Sequence, residues 1–151
     1  MENSEMTTMK NARKKQYLKA FWSITPDIEL EARELLRYFA TRINFPLKTI
    51  DELSLCVIEG CINAIEHGKA DALEMELAWD GEEIEIKILN TDFTNNQLPE
   101  IPREEKEPGT KRGWGLHILK KFLDEYHFIK EGNRTVLVMK IRGKRHERVQ
   151  F

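Results

Sequence analysis

A carboxylate, a carboxamide and an imidazole stand at four-residue steps in the run EGCINAIEHG, as Glu59, Asn63 and His67. On a helix that spacing puts all three on one face. There the carboxylate could act as a general base, the amide oxygen could ligate a hard cation, and the imidazole would add a third polar group. Taken alone, such a row is also what the wet side of any surface helix shows. A second candidate is Lys111-Arg112-Gly113-Trp114-Gly115-Leu116. Glycines at the start of a helix let backbone N–H groups approach a phosphate at the positive end of the helix dipole, and Lys111 and Arg112 would add charge. No GK[ST] follows, and Ile118 takes the place of the third glycine of a dinucleotide fingerprint, so neither standard phosphate loop is present. Taken alone, these glycines also fit the mere end of a floppy loop.

The elements that must position these groups follow from hydrophobic spacing. The run YLKAFWSI predicts a strand, and Thr25-Pro26-Asp27 a helix start with threonine as N-cap and proline at the first helical position. Ile28, Ala32, Leu35, Phe39 and Ile43 mark an amphipathic helix that ends before Pro46. A second helix runs from about residue 47 to 67, with Gly68 as its stop and Ile50, Leu53, Val57, Cys61 and Ala64 as its core stripe. At about 100° per residue, the Glu59 face lies roughly 120° around that helix from the Val57 stripe. Leu73, Met75, Leu77 and Trp79, then Ile84, Ile86 and Ile88, alternate on either side of Asp80-Gly81 and predict a hairpin. Residues 91–112 hold three prolines, many charges and no apolar period, which predicts a long loop. Leu116, Leu119, Phe122 and Leu123 mark a third helix, and HFI and TVLVMKI, joined across Glu131-Gly132-Asn133, a second hairpin.

This order implies a two-layer α/β sandwich, with a mixed, largely antiparallel sheet covered on one face by helices. At 151 residues the chain suits one domain, expected over 16–142 between an arm at 1–15 and a basic tail at 143–151. Hydrophobic residues at 40% and charged residues at 33% suit a core under a charged surface and exclude a disordered chain. With 24 basic against 26 acidic residues the net charge is −2, so no global field draws in nucleic acid or an anionic membrane. The sequence has no apolar run of the ~18 residues a span needs, and its start lacks the order of a signal peptide, so a cytoplasmic location is expected. Cys56 and Cys61, five apart in a helix, fit neither a CxxC site nor a bridge and read as buried thiols.

Together, the Glu59–Asn63–His67 helix, the hairpin, the long loop and the glycine-led helix resemble the histidine-kinase-like ATPase superfamily. Within it, NAIEHG after Glu59 and RGWGLHILKKFLDEY followed by EGNRTVLVMKI are similar to the small bacterial anti-sigma factors that are protein-serine kinases. The resemblance covers about residues 17–142 and implies a Bergerat-type ATP-binding fold that uses ATP and Mg²⁺. It implies Glu59 as general base and Asn63 as the Mg²⁺ ligand, with Gly113 and Gly115 bordering the phosphates and residues 91–112 as the lid. Lys111, Arg112, Leu116 and His67 belong to the same expected nucleotide site. One departure stands out. Where the family carries DxGxG, with an aspartate for the adenine amino group, this chain reads ILNTDFTNN. Alternation from Ile88 puts Asn90 in that register, whereas Asp92 keeps the acid but slips the frame by two residues. The implied function is a partner switch between a sigma factor and an antagonist that it phosphorylates on serine, and the resemblance also suggests a homodimer. A non-catalytic binding module of the same fold is the rival. The catalytic domain of a two-component histidine kinase is disfavoured, because no dimerisation helices with a phosphoacceptor histidine precede it.

Overall fold

A computed structural model describes residues 15–69, 71–91, 112–132 and 134–143, with backbone alone for 112–115. The expected arm apart from residue 15, the expected lid apart from Thr91 and Arg112, which end a strand and begin a helix, and most of the basic tail lie outside these residues. The elements are β1 (Gln16–Ser23), α1 (Ile28–Arg42), α2 (Leu47–His67), β2 (Ala72–Trp79), β3 (Glu83–Thr91), α3 (Arg112–Phe122), β4 (Glu125–Glu131) and β5 (Arg134–Arg142). The strands form one sheet in the order β1-β2-β3-β5-β4, and the helices cover one of its faces.

The sheet was expected to be mixed and largely antiparallel, and all four ladders among the described residues are antiparallel. The connections explain why. One crossover helix returns a chain to the end where its strand began and gives a parallel pair. Between β1 and β2 the chain instead traverses the sheet twice, through α1 and α2, and so re-enters from the opposite end. The other neighbours are hairpins, or are separated by α3 and β4 together.

Strict alternation sorts the strand side chains. Leu73, Met75, Leu77 and Trp79 of β2, Ile84, Ile86 and Ile88 of β3, and Leu137, Met139 and Ile141 of β5 face the helices and are buried. They meet Ile28, Ala32, Leu36 and Phe39 of α1 and Ile50, Leu53, Val57 and Cys61 of α2. Both stripes largely match the spacing in the sequence, but Leu36 is fully buried on α1 where Leu35 was expected, and Leu35, Ile43 and Ala64 are only partly buried. Cys56 and Cys61 are free and buried, and burial, with Glu52 and Glu59 nearby, pushes the Cys56 thiol up to about 12.

One expected helix end differs. The first helix starts at Ile28, with Asp27 as the N-cap residue at φ 67° and no side-chain cap, rather than at Thr25-Pro26. The Ile28 N–H donates to Thr25 C=O and the Leu30 N–H to Asp27 C=O, so a tight turn precedes the helix. At the other end of α1, Asn44 takes φ 66°, Phe45 N–H donates to Ala40 C=O, and Asn44 N–H donates to Thr41 C=O. That bond pattern is a Schellman closure. Gly68 ends α2 as expected, in an extended conformation at φ −91°. Its glycine is required by crowding, described below.

The β2–β3 turn confirms Asp80-Gly81. Asp80 Oδ1 accepts from both Glu82 N–H and Glu83 N–H at 2.8 Å, and Gly81 sits at φ 99°. The two bonds favour the ionised carboxylate, and they hold Asp80 below its ordinary value of 3.8. A carboxyl depressed by folding contributes stability that is present above its unfolded pKa and lost as pH falls through its folded one. Asp80→Ala is therefore expected to melt below the unmodified chain at neutral pH. In thermal melts across acid pH, the gap should narrow once the pH drops below 3.8.

Candidate active site

The height of α2 over the sheet is set at Gly60, a residue the pattern reading passed over. A Cβ built there would lie 2.9 Å from Ile88 Cδ1 and 3.0 Å from Leu137 Cδ2. The helix thus rests almost backbone-to-side-chain on β3 and β5. Glu59 is its immediate neighbour in the chain, so the same contact fixes the candidate base. Glu59 and Asn63 are partly buried and His67 is exposed. A mid-helix glycine was the available signal, since glycine costs helix about 1 kcal/mol relative to alanine and calls for a packing reason.

At the far end of α2 the chain brings two expected features together. Asn90 lies on the helix-facing side of β3, opposite Leu73 in the ladder, in line with Ile84, Ile86 and Ile88. Its side chain occupies the space that a Cβ on Gly68 would need, one residue beyond His67. The Asn90 Nδ2 donates to Ala72 C=O at 3.3 Å, which ties the carboxamide to the end of β2. Asp92, the alternative in the slipped frame, and Lys111 lie outside the described residues.

The glycine-led helix approaches from the other direction. α2 begins beside Phe45, whose ring meets Trp79 edge-on at 5.3 Å. α3 ends near the same edge of the sheet: Asp124 N–H donates to Lys140 C=O, and Asp124 Oδ2 accepts from Arg142 N–H at 2.7 Å. The two packed helices therefore run in opposite senses. At a rise of about 1.5 Å per residue, α3 reaches roughly 16 Å up from that edge, and Glu59 lies roughly 18 Å along α2. By that reckoning the backbone of the first turn of α3, holding Arg112, Gly113 and Gly115, comes roughly level with Glu59, about one helical turn short of Asn63. Leu116, just inside α3, is exposed, while Leu119 and Leu123 anchor the helix in the core.

The donor chemistry fits a nucleotide with a hard cation. Among the described residues no group of three or more His, Cys, Asp and Glu side chains could hold a metal alone. A Mg²⁺ ion does not need one, because it is commonly held by one or two protein oxygens plus phosphates and water. Asn63 and Glu59 offer such oxygens, and the N-terminal end of α3 offers a partial positive charge for phosphate.

A cleft of about 470 Å³ lies elsewhere, on the sheet face without helices, between residues that include Lys19, Glu74, Lys87 and Arg134. None of the expected site residues lines it. Its apolar lining includes Leu89 and Val136, which pack with Val138 in a small cluster. Nearly buried Glu74 is pushed up by desolvation and by the neighbouring Glu76, against the opposing pull of Lys19. Arg134 Nη1 donates to Thr91 Oγ1 at 2.9 Å.

An antiparallel sheet under a helix layer, with a carboxylate–carboxamide row on one helix and a glycine-led helix beside it, defines a Bergerat-type α/β sandwich. The model of the histidine kinase-like ATPase domain matches residues 24–141, and the chain belongs to that family. Its fold is also that of a solved structure of the RsbU and RsbW domains of Rv1364c from Mycobacterium tuberculosis. The match has a TM-score of 0.62 and 17% identity, and covers 84% of this chain. It takes in 32% of that longer chain, so this protein spans about a third of it. No curated protein sequence matches. No helix among the described residues is long and apolar enough to cross a membrane.

If Gly60 sets the height of α2, a branched side chain there must lift the helix. Gly60→Val is expected to lose about 1–3 kcal/mol in denaturant melts, the usual cost of overpacking. Gly60→Ala should lose less, because the atoms it meets are the far ends of side chains.

Proposed function

We propose that the protein is an ATP- and Mg²⁺-dependent protein-serine kinase of the anti-sigma type, switching between a sigma factor and an antagonist protein that it phosphorylates. The observation that carries this reading is the Glu59–Asn63–His67 row on α2, with the glycine-led α3 packed beside that helix, in a chain of the histidine kinase-like ATPase family. The RsbW domain in the structurally similar protein supports the anti-sigma assignment.

In this reading Glu59 accepts the proton of the serine hydroxyl as its oxygen bonds to the γ-phosphorus of ATP and ADP departs. Gly60 keeps that carboxylate at a fixed height. Asn63 supplies an amide oxygen to Mg²⁺, which when bound neutralises charge on the phosphate oxygens. Gly113 and Gly115 let the first turn of α3 approach the phosphates, where Lys111 and Arg112 add charge and Leu116 borders the site. His67 and Gly68 close the end of the pocket near Asn90. Asn90 takes the place of the family's aspartate at the adenine amino group, with Asp92 as the alternative contact. An amide oxygen accepts that hydrogen bond without the charge that strengthens it.

Asn90 is also the specific observation in favour of a second reading. With a neutral group in the base register, a non-catalytic module that regulates by association alone needs no strong grip on ATP.

The test is phosphate incorporation into a co-purifying protein. Glu59→Ala is expected to reduce transfer by about 10²–10⁴-fold, the range for loss of a general base, while melting close to the unmodified protein. Asn63→Ala should instead weaken Mg²⁺-dependent nucleotide binding. Undiminished transfer by Glu59→Ala would refute its role, and no transfer by the unmodified protein to any partner would leave the binding module.

Base recognition is tested separately by calorimetry. Asn90→Asp is expected to tighten ATP binding and sharpen discrimination against GTP. Unchanged binding by Asn90→Asp together with loss in Asp92→Ala would assign the adenine contact to Asp92.

A further inference from the structure

We infer that the cleft on the helix-free face of the sheet is a small-molecule site of its own, taking an organic dicarboxylate with an apolar chain or ring between its two acidic ends. The ladders set that face out in rows. Lys19, Glu76, Lys87 and Val138 follow one another across β1, β2, β3 and β5. Phe21, Glu74, Leu89 and Val136 make the next row. Beyond it Arg134 reaches Thr91, and in the ladder Arg134 stands opposite Glu131 of β4. All three rows line the cleft, and its volume of about 470 Å³ falls in the range of about 300–1,000 Å³ usual for ligand pockets.

The charges in the cleft are unevenly matched. Glu74, 5% exposed, lies 3.4 Å from the Lys19 ammonium, and Glu76 lies 3.8 Å from the same group. Both of these acids are thereby offset from β1. Lys87 stands directly opposite Glu76, yet its ammonium has no ion-pair or hydrogen-bond partner among the described residues. Arg134 donates to a neutral hydroxyl, Thr91 Oγ1 at 2.9 Å, and has no counter-charge among the described residues. A guanidinium carries five N–H donors in a fork that suits a carboxylate. Both cations are partly buried, where a charge without a partner is costly. Two anionic groups would match them one for one.

The strand geometry sets how those groups must be joined. The two Cα atoms are separated by four residues along the strands and one strand across, roughly 14 Å. One acidic group cannot meet both side chains at full reach, whereas a short spacer with an acid at each end can. Leu89 and Val136 lie between the two cations, and the exposed ring of Phe21 adds an apolar wall for the spacer. The clustered charge of a triphosphate suits the cleft poorly, because it would crowd against Glu74, Glu76 and Glu131.

The cleft shares no residue with the proposed nucleotide site, so its test stands apart from that reading. Octanedioate and terephthalate are the probes, added to the uniformly labelled full chain without nucleotide, with affinities from calorimetry. Saturable amide shifts centred on Lys87, Leu89, Arg134 and Val136 are expected with both, and much weaker ones with octanoate or inorganic phosphate. Lys87→Met and Arg134→Met should each weaken octanedioate about ten- to a hundredfold, the effect of losing one hydrogen bond to a charged group. Lys140→Met, on the same face but outside the cleft, should leave it unchanged. Lys87→Glu supplies a gain that misfolding cannot imitate: its preference should pass from octanedioate to ω-aminooctanoate. The inference is overturned if neither dicarboxylate binds, if octanoate or phosphate binds as tightly, or if the Met variants at Lys87 and Arg134 bind as the unmodified chain does. It also falls if the dicarboxylates leave the cleft amides unmoved while Lys87→Glu releases a co-purifying protein, which would make this face a protein contact.

Discussion

The contact on which the other arrangements depend is the seat of α2 on the sheet. Gly60 brings the helix backbone against Ile88 and Leu137, and Gly68 leaves room for Asn90 where the helix has ended. Between these two points the row Glu59, Asn63, His67 is held at one height along the top of the sheet. Side chains at either glycine would change that height or displace Asn90. The apolar stripe from Ile50 to Cys61 supplies the burial that presses the helix down. The glycines determine how far it goes.

This division of labour explains what the sequence could reveal. Burial writes itself into periodicity, so α2 was legible to its last residue, and the hairpin across Asp80-Gly81 was legible in both strands and turn. Asn90 was placed on the helix-facing side of β3 by alternation alone, and the ladder with Leu73 puts it there. Close approach leaves a weaker mark. Gly60 stood inside a helical run without a stated purpose, and Gly68 was read as the helix stop, which it is. Its extended φ of −91° shows that crowding, not chirality, demands it. The strand order β1-β2-β3-β5-β4 was not legible, because pairing between strands distant in the chain leaves no mark in composition or period. The start of α1 was misplaced because Thr25-Pro26 carries a strong local signal, while Asp27 adopts a left-handed conformation that only the turn around it accounts for.

The two sheet faces divide differently. The helix side is a continuous apolar core, whereas the other side mixes Lys19, Glu74, Glu76, Lys87 and Arg134 with a small apolar cluster. Cross-strand pairing satisfies much of that charge, with Lys19 against two glutamates and Lys140 3.9 Å from Glu85. The cleft in that surface leaves Lys87 and Arg134 without a counter-charge among the described residues. The α2–α3 side has no such cleft among the described residues, but carries Glu59 and Asn63 on one helix beside the glycine-led start of another.

The central claim, that nucleotide is bound between α2, Asn90 and the start of α3, is tested most directly by mapping backbone amide chemical shifts while Mg·ATP is added to the uniformly labelled protein. The account predicts the largest changes at Asn63, His67, Gly68 and Asn90 and in the first turn of α3, with Lys87, Val136 and Val138 on the open sheet face little affected. Changes centred on Lys87, Arg134 and Val136, or none anywhere at saturating Mg·ATP, would contradict it.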